Sequence, residues 1–319
     1  MTVEKFHIKK ISEIDREKLI KFYQNTFQYE KPFSENYNWR YRAGFNEFEP
    51  LVLLINNEIC GHAGLIPVDI NFQDERRKAI WFTDFHINSK FRSRGYGKLL
   101  TQEWMKICPI HITICNDQSL KVFKKLNWSS SQKFIRRIKF NNYLRIIPMF
   151  RKFNDFNLIK SSQDNLKLLE INNSTLTELI ASNNIQGSKK GVYLVRDESW
   201  FKWRLIDCPY KKNIYIFKFK DDLFITHLKF KNNLKILNII YSSAPISNEI
   251  SNIFINLSKK NNVDYLSFIS NKKKLLDNFF PWEKKLNFAF NSEDEKILKM
   301  LNKELNDIQF IDSDIDFVF

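Results

Sequence analysis

Glycine is scarce in this chain, with 7 residues in 319, and proline (8) and cysteine (4) are hardly commoner. The four cysteines, Cys60, Cys108, Cys115 and Cys208, form no Cys-x-x-Cys pair and meet no histidine at zinc-finger spacing. A disulfide framework and a metal site are therefore not expected, and the thiols read as reduced and mostly buried. No apolar run approaches the roughly 18 residues of a membrane span, and the opening Met1-Thr2-Val3-Glu4-Lys5-Phe6 has no basic leader followed by an apolar stretch. The expectation is a soluble, cytoplasmic protein. Acidic residues are the minority charge, giving a net +15, but the excess is spread as +9 over residues 1–140 and +6 over 141–319, with no basic arm or RNA-binding signature. No specific nucleic-acid partner follows from it, although a positive surface draws anionic small molecules. The two commonest phosphate-binding glycine patterns are also missing. There is no Gly-x-x-x-x-Gly-Lys-Ser/Thr, and Gly95-Tyr96-Gly97 lacks a third glycine three residues on, so neither a nucleoside triphosphate nor a Rossmann dinucleotide is favoured.

Against that scarcity, two glycines placed one residue apart are informative. Arg92-Ser93-Arg94-Gly95-Tyr96-Gly97-Lys98 follows the apolar run Ile80–Ile87 and precedes a helix-like stretch through Met105. Strand, glycine turn and helix in that order put unpartnered N–H groups at the positive end of a helix dipole, with Arg92, Arg94 and Lys98 adding charge. Absent side chains let a ligand approach the backbone, and a pyrophosphate is the natural guest.

Hydrophobic periodicity gives a short strand over Phe6–Ile11 and a helix over Glu13–Phe27. A hairpin through Asn56-Asn57 follows, then the Ile80–Ile87 strand, the loop and its helix, a buried strand over Ile110–Cys115, and a helix capped by Asn116. Phe134–Phe140 alternates again and would close the unit. The second half repeats part of this order. Trp39-Arg40 recurs as Trp203-Arg204, and Asn57 and Asp221 each lie 18 residues beyond the respective tryptophan. A second hairpin (Ile214–Phe219, Phe224–Phe230), a strand (Leu234–Tyr241), a helix (Glu249–Lys259) and a strand (Val263–Ile269) follow, which reads as a duplication. No glycine or arginine stands in Ser242-Ser243-Ala244-Pro245-Ile246-Ser247, where the second copy would need its phosphate loop.

Arg92-x-x-Gly95-x-Gly97, set in this order of elements, resembles the pyrophosphate loop of the GNAT superfamily of acyl-CoA-dependent N-acyltransferases. The resemblance covers about residues 5–140. It implies an α/β protein of two tandem GNAT-like domains, each a mixed, mostly antiparallel sheet flanked by helices. Residues 1–140 would be the acyltransferase domain, 141–165 a linker, and 166–319 a degenerate copy shaping the acceptor site. The implied co-substrate is acetyl-CoA or another acyl-CoA, held by Arg92, Ser93, Arg94, Gly95, Tyr96, Gly97 and Lys98, with the backbone of His86 and Ile87 and the side chain of Asn116 along the pantetheine arm. The implied acceptor is a small-molecule amine, with a sugar-linked one leading, because the tandem arrangement and high aromatic content resemble GNAT proteins of bacterial surface-polysaccharide pathways. An aminoacyl or peptidyl transferase on paired GNAT-like domains and a non-catalytic binding module are the alternatives.

Two readings of the chemical residues stay open. Asp84 and His86, two apart on one strand, are candidate bases, but a strand-end aspartate also serves as a structural acceptor and a lone histidine as a core residue. Glu47 and Glu49 are fallbacks. Trp39, Arg40 and Arg42 suit a sugar and an anionic group in an acceptor groove, yet the Trp-Arg repeat in a copy without the loop suits packing equally. The tyrosine that commonly donates to the leaving thiolate is Phe123 here, which holds no proton to give.

Overall fold

The computed structural model describes residues 5–27, 31–42, 48–141, 166–187, 191–270, 282–305 and 307–312. The proposed 141–165 linker lies, but for Asn141, outside the described residues, as does Glu47. In chain order the first half gives β1 (Phe6–Lys10), α1 (Arg16–Thr26), α2 (Lys31–Arg40), β2 (Leu51–Ile55), β3 (Glu58–Phe72), β4 (Glu75–Ile87), α3 (Tyr96–Met105), β5 (Ile110–Cys115), α4 (Asp117–Lys125) and β6 (Ser129–Ser131). The second half gives β7 (Ile135–Phe140), β8 (Lys167–Leu169), α5 (Asn173–Gly187), β9 (Val192–Leu194), α6 (Glu198–Phe201), β10 (Ile214–Phe219), β11 (Asp222–Lys231), β12 (Leu234–Ser242), α7 (Asn248–Lys260), β13 (Tyr265–Ser270), β14 (Trp282–Lys285), β15 (Asn287–Ser292) and α8 (Glu295–Lys303).

Two compact units result, one built on the chain up to Ser130 with Phe288–Glu304, the other on Ser131–Asn287 with the stretch from Leu305. Each holds a mixed sheet flanked by helices. The first runs β1-β2-β3-β4-β5-β15-β6 and the second β14-β7-β13-β12-β11-β10-β8. The order hairpin, strand, helix, parallel strand occurs in both, as β2-β3-β4-α3-β5 and as β10-β11-β12-α7-β13, with the parallel pairs β4/β5 and β12/β13. Their hairpins turn on left-handed residues, Asn56 and Asn57 in one and Lys220 in the other, the conformation a two-residue turn requires. In the first unit Leu100 and Trp104 of α3 join Leu53, Leu65, Ile80 and Phe82 in one core, and in the second Phe254 and Leu257 of α7 join Phe217, Phe224 and Leu237.

The closing strands correct the sequence reading. Phe134–Phe140 does not close the first sheet: β7 pairs antiparallel with β13 over Ile135–Phe140 and with β14, while β15, from far along the chain, takes a place beside β5. The reason is burial. Phe288, Ala289 and Phe290 of β15 are at most 1% exposed and suit an interior slot. β7 carries Arg136, Arg137 and Lys139, and the buried Arg137 meets Glu283 of β14 at 3.2 Å in the second sheet. Among the described residues no helix is long and apolar enough to cross a membrane.

Candidate active site

β4 is the interior strand from which the site is built. Its parallel pairing with β5 covers Ile80↔His111 and Trp81↔Ile112, and Thr113 Oγ1 donates to the Phe82 carbonyl at 2.7 Å. Beyond that, the two strands share no register pair among the described residues, so the last part of β4 has an edge available to a ligand backbone. On its other side β4 bulges against β3: the register steps from His62↔His86 to Gly64↔Thr83, leaving Asp84 and Phe85 opposite a single residue. Asp84 has φ 49°, the left-handed region that a non-glycine residue seldom holds. Gly64 sits under this bulge because a Cβ there would lie 2.8 Å from the Thr83 carbonyl oxygen and 2.9 Å from the Tyr41 ring.

The Asp84 side chain is fully engaged. Arg40 donates to it twice, Nε to Oδ2 at 2.7 Å and Nη2 to Oδ1 at 2.9 Å, and the Tyr41 hydroxyl donates to Oδ2 at 2.8 Å. Burial alone would raise its carboxyl, but the Arg40 charge and these hydrogen bonds outweigh burial and hold it below the usual carboxylate range. A buried, doubly bonded carboxylate is a poor proton acceptor, so the geometry gives Asp84 a structural role. Its backbone carbonyl meets His62 Nδ1 at 2.8 Å, and His62 Nε2 meets the Tyr23 hydroxyl at 3.0 Å. A carbonyl can only accept, so the His62 proton sits on Nδ1 and Tyr23 donates to Nε2. Burial, ahead of any charge, pulls this histidine down to about 4 and keeps it neutral. Tyr23 and Tyr41 are pushed well above the ordinary phenol value, first by burial and then by Asp84. His62 and Tyr23 were not among the candidates from sequence, because a histidine and a tyrosine 39 residues apart carry no local signal of contact.

His86 stands differently. It is partly exposed, its ring lies 6.2 Å from Phe22 and 6.3 Å from Phe27, and burial followed by the Arg92 charge lowers it below the ordinary imidazole value. It is therefore neutral at pH 7, with one ring nitrogen able to accept. The bulge breaks the simple alternation that puts residues 84 and 86 in equivalent positions. Arg40 and Arg42, expected in an acceptor groove, are 3% and 7% exposed. The first is committed to Asp84, and the second donates to the Pro67 carbonyl at 3.1 Å. Trp39 stays partly exposed beside them. In the second unit Arg204 stacks 3.8 Å from the Trp203 ring, so the repeated Trp-Arg pair packs in both places by different means. Of the fallback bases, Glu49 accepts from the Ser12 backbone N–H at 3.2 Å.

The loop after β4 leads into a helix start that no side chain caps. Arg92 Nε donates to the Ile87 carbonyl at 2.8 Å, tying the loop to the strand end. Ser93 has φ 63° and Gly95 φ 86°, and Gly95 caps α3 without a side-chain bond. Helices α1, α4, α6, α7 and α8 are instead capped by Asp15, Asn116, Asp197, Ser247 and Asp294, whose side chains accept from first-turn N–H groups. At α3 no side chain accepts from the first-turn N–H groups, and a Cβ on Gly95 would meet nothing within 4 Å. Ser93, Arg94 and Lys98 are exposed around them, with Tyr96 and Gly97 half-buried. Asn116, at the tip of β5, spends Oδ1 on the Ser119 N–H at 2.8 Å. In the second unit the corresponding turn ends on Ser247, which caps α7, so its helix start is closed by the chain itself.

The family model for the acetyltransferase (GNAT) family matches residues 15–128, the span that holds the bulged β4, the uncapped α3 and the split from β5. Over that stretch the chain is similar to the GNAT family. Its fold is also that of solved GNAT structures: the GCN5-related N-acetyltransferase from Kribbella flavida aligns over 92% of this chain and 72% of its own at 9% identity and a TM-score of 0.61. The corresponding protein from Anabaena variabilis aligns over 90% and 72% at 15% identity and 0.57. Saccharomyces cerevisiae N-myristoyltransferase with bound myristoyl-CoA and inhibitors aligns over 91% and 81% at 13% identity and 0.58. No curated protein matches the sequence at a significant level. The loop 92–98 combines a helix start without a side-chain cap, a left-handed glycine and three exposed cations, Arg92, Arg94 and Lys98. Among the described residues no group of three or more His, Cys, Asp or Glu is arranged to hold a metal.

Proposed function

We propose that this protein is a GNAT enzyme that moves an acetyl group from acetyl-CoA to a primary amine, and that the amine belongs to an amino sugar on a nucleotide or lipid carrier. The observation that carries the reading is the free edge of β4 leading directly into the uncapped, cationic start of α3, since pyrophosphate and pantetheine need the two in series. The thioester supplies an activated acyl group. The chain would supply donors to the pyrophosphate, backbone to orient the arm, and His86 to take the proton that the amine sheds as its C–N bond forms and the C–S bond breaks. Phe123 is buried against Trp128, ring centroids 4.5 Å apart, so the thiolate would leave without a tyrosine donor and collect its proton from water. Phe82 stacks on Trp104 at 4.2 Å and meets Phe123 at 5.8 Å at the base of the β4/β5 split, which supports a short acyl group. The net charge of +15 supports an anionic carrier for the amine.

Calorimetry with CoA, followed by transfer assays pairing acetyl-CoA and myristoyl-CoA with nucleotide-linked amino sugars and simple amines, tests each part. Binding of CoA with acetyl transfer to a sugar amine is the expected result. Absence of CoA binding would overturn the enzyme reading, and transfer confined to non-sugar amines would overturn the acceptor.

A further inference from the structure

The arrangement around Asp84 is more than an ion pair. A left-handed aspartate in an interior strand persists only where its surroundings over-determine it. Here four side chains do so from three elements: Arg40 and Tyr41 at the end of α2 hold the carboxylate, while His62 of β3, backed by Tyr23 of α1, holds the carbonyl of the same residue. Carboxylate and carbonyl are thus both clamped at the residue where β4 changes register. The backbone that follows, Phe85–Ile87, is the edge beside the uncapped start of α3, to which Arg92 is tied through the Ile87 carbonyl.

We propose that Arg40 and Tyr41 are positioning residues for acyl transfer, acting through Asp84 to fix the bulged β4 backbone against which the thioester is oriented. The inference rests on the acyltransferase reading above and adds residues to it that touch neither substrate. A bidentate fork matters here because it sets the carboxylate's rotation as well as its charge, something a lysine cannot do. Loosening the clamp should let the β4 edge shift while the pyrophosphate loop, built on α3, keeps its donors. Binding and turnover should then separate.

The test compares wild type with Arg40→Lys and Tyr41→Phe, in the full chain, by CoA calorimetry, by steady-state kinetics with acetyl-CoA, and by the backbone amide NMR shifts of Phe85–Ile87 on adding CoA. Expected are CoA affinity and acetyl-CoA KM near wild type, kcat lowered about 10- to 100-fold in Arg40→Lys and less in Tyr41→Phe, and altered CoA-induced amide shifts in both. Tyr41→Phe removes a single hydroxyl and keeps the test readable if Arg40→Lys folds poorly. Unchanged kcat and unchanged amide shifts in either folded variant would overturn the positioning role, as would a loss of CoA affinity that accounts for all of the lost activity. A wild-type protein that binds no CoA would instead overturn the acyltransferase reading itself, so the two failures are told apart by the wild-type titration alone.

Discussion

The residues that matter most are two neighbours on β4 with opposite fates. Asp84 is locked by Arg40 and Tyr41 with its carboxyl held low, whereas His86 keeps a neutral, accessible ring. Replacing Asp84 with Asn removes one partner of a buried ion pair and leaves the Arg40 guanidinium uncompensated. The predicted cost is about 3–5 kcal/mol of stability, read as a lower denaturant midpoint. A near-native midpoint would show that water reaches the pair. His86→Gln is predicted to leave CoA affinity intact and lower kcat by about 10²–10⁴, with the acidic limb of the pH–rate profile disappearing. In the wild type that limb should lie below the ordinary imidazole value, because burial and Arg92 both disfavour the charged ring. A limb that follows the acceptor amine's own pKa from substrate to substrate would remove His86 from the role. Sequence reasoning named both residues and could not rank them, because what separates them is a bulge and an arginine 44 positions away, and neither leaves a trace in local spacing.

At the level of the element, α3 is where sequence and structure agree most closely, because the glycine pair in a glycine-poor chain marks a helix start with a left-handed Gly95 and no side-chain cap. Gly95 needs its φ of 86°, and substitution by alanine there carries strain of about 1 kcal/mol or more. Gly97 is different. A Cβ would make ordinary contacts, 3.6 Å to Ile87 and 3.8 Å to Phe85, so the helix tolerates a side chain and only the ligand site suffers. Gly97→Trp is therefore predicted to fold like wild type by circular dichroism and to lose CoA binding in calorimetry. Unchanged CoA affinity in that variant would move the pyrophosphate elsewhere. The same helix anchors the core: Trp104 is fully buried and stacked on Phe82 at 4.2 Å, and Trp104→Ala is predicted to cost about 3–5 kcal/mol through the cavity it leaves. A loss well under that range would mean the surrounding rings collapse into the gap.

For the whole molecule, most strands and helices were legible from periodicity, and the resemblance carried by their order and the loop motif implied two mixed sheets. Which sheet each closing strand joins was not legible. β7 alternates like any half-buried strand, and its partner β13 and the acid Glu283 lie more than 120 residues away. Burial of polar groups was likewise hidden, and it sets how the folded state responds to acid. His62 and His111 are 0% and 2% exposed, and burial brings each down to about 4 from an ordinary 6.5. The unfolded chain takes up a proton at both rings as pH falls through 6.5, while the folded chain refuses until about 4. Their contribution is thus complete above pH 6.5 and drains away between 6.5 and 4, by about 3 kcal/mol for each ring at 1.36 kcal/mol per unit. Asp84 adds a later loss, since a carboxyl held low when folded stabilises above the ordinary carboxylate value and surrenders that only at lower pH still. Denaturant unfolding at pH 7.5, 5.5 and 4.5 should show a steady fall in stability, and His111→Phe, which keeps a ring between Trp104 and Trp128 without a titrating group, should make the fall shallower by about half. A slope unchanged in that variant would mean that His111 titrates alike in both states and that its environment is wetter than its burial implies.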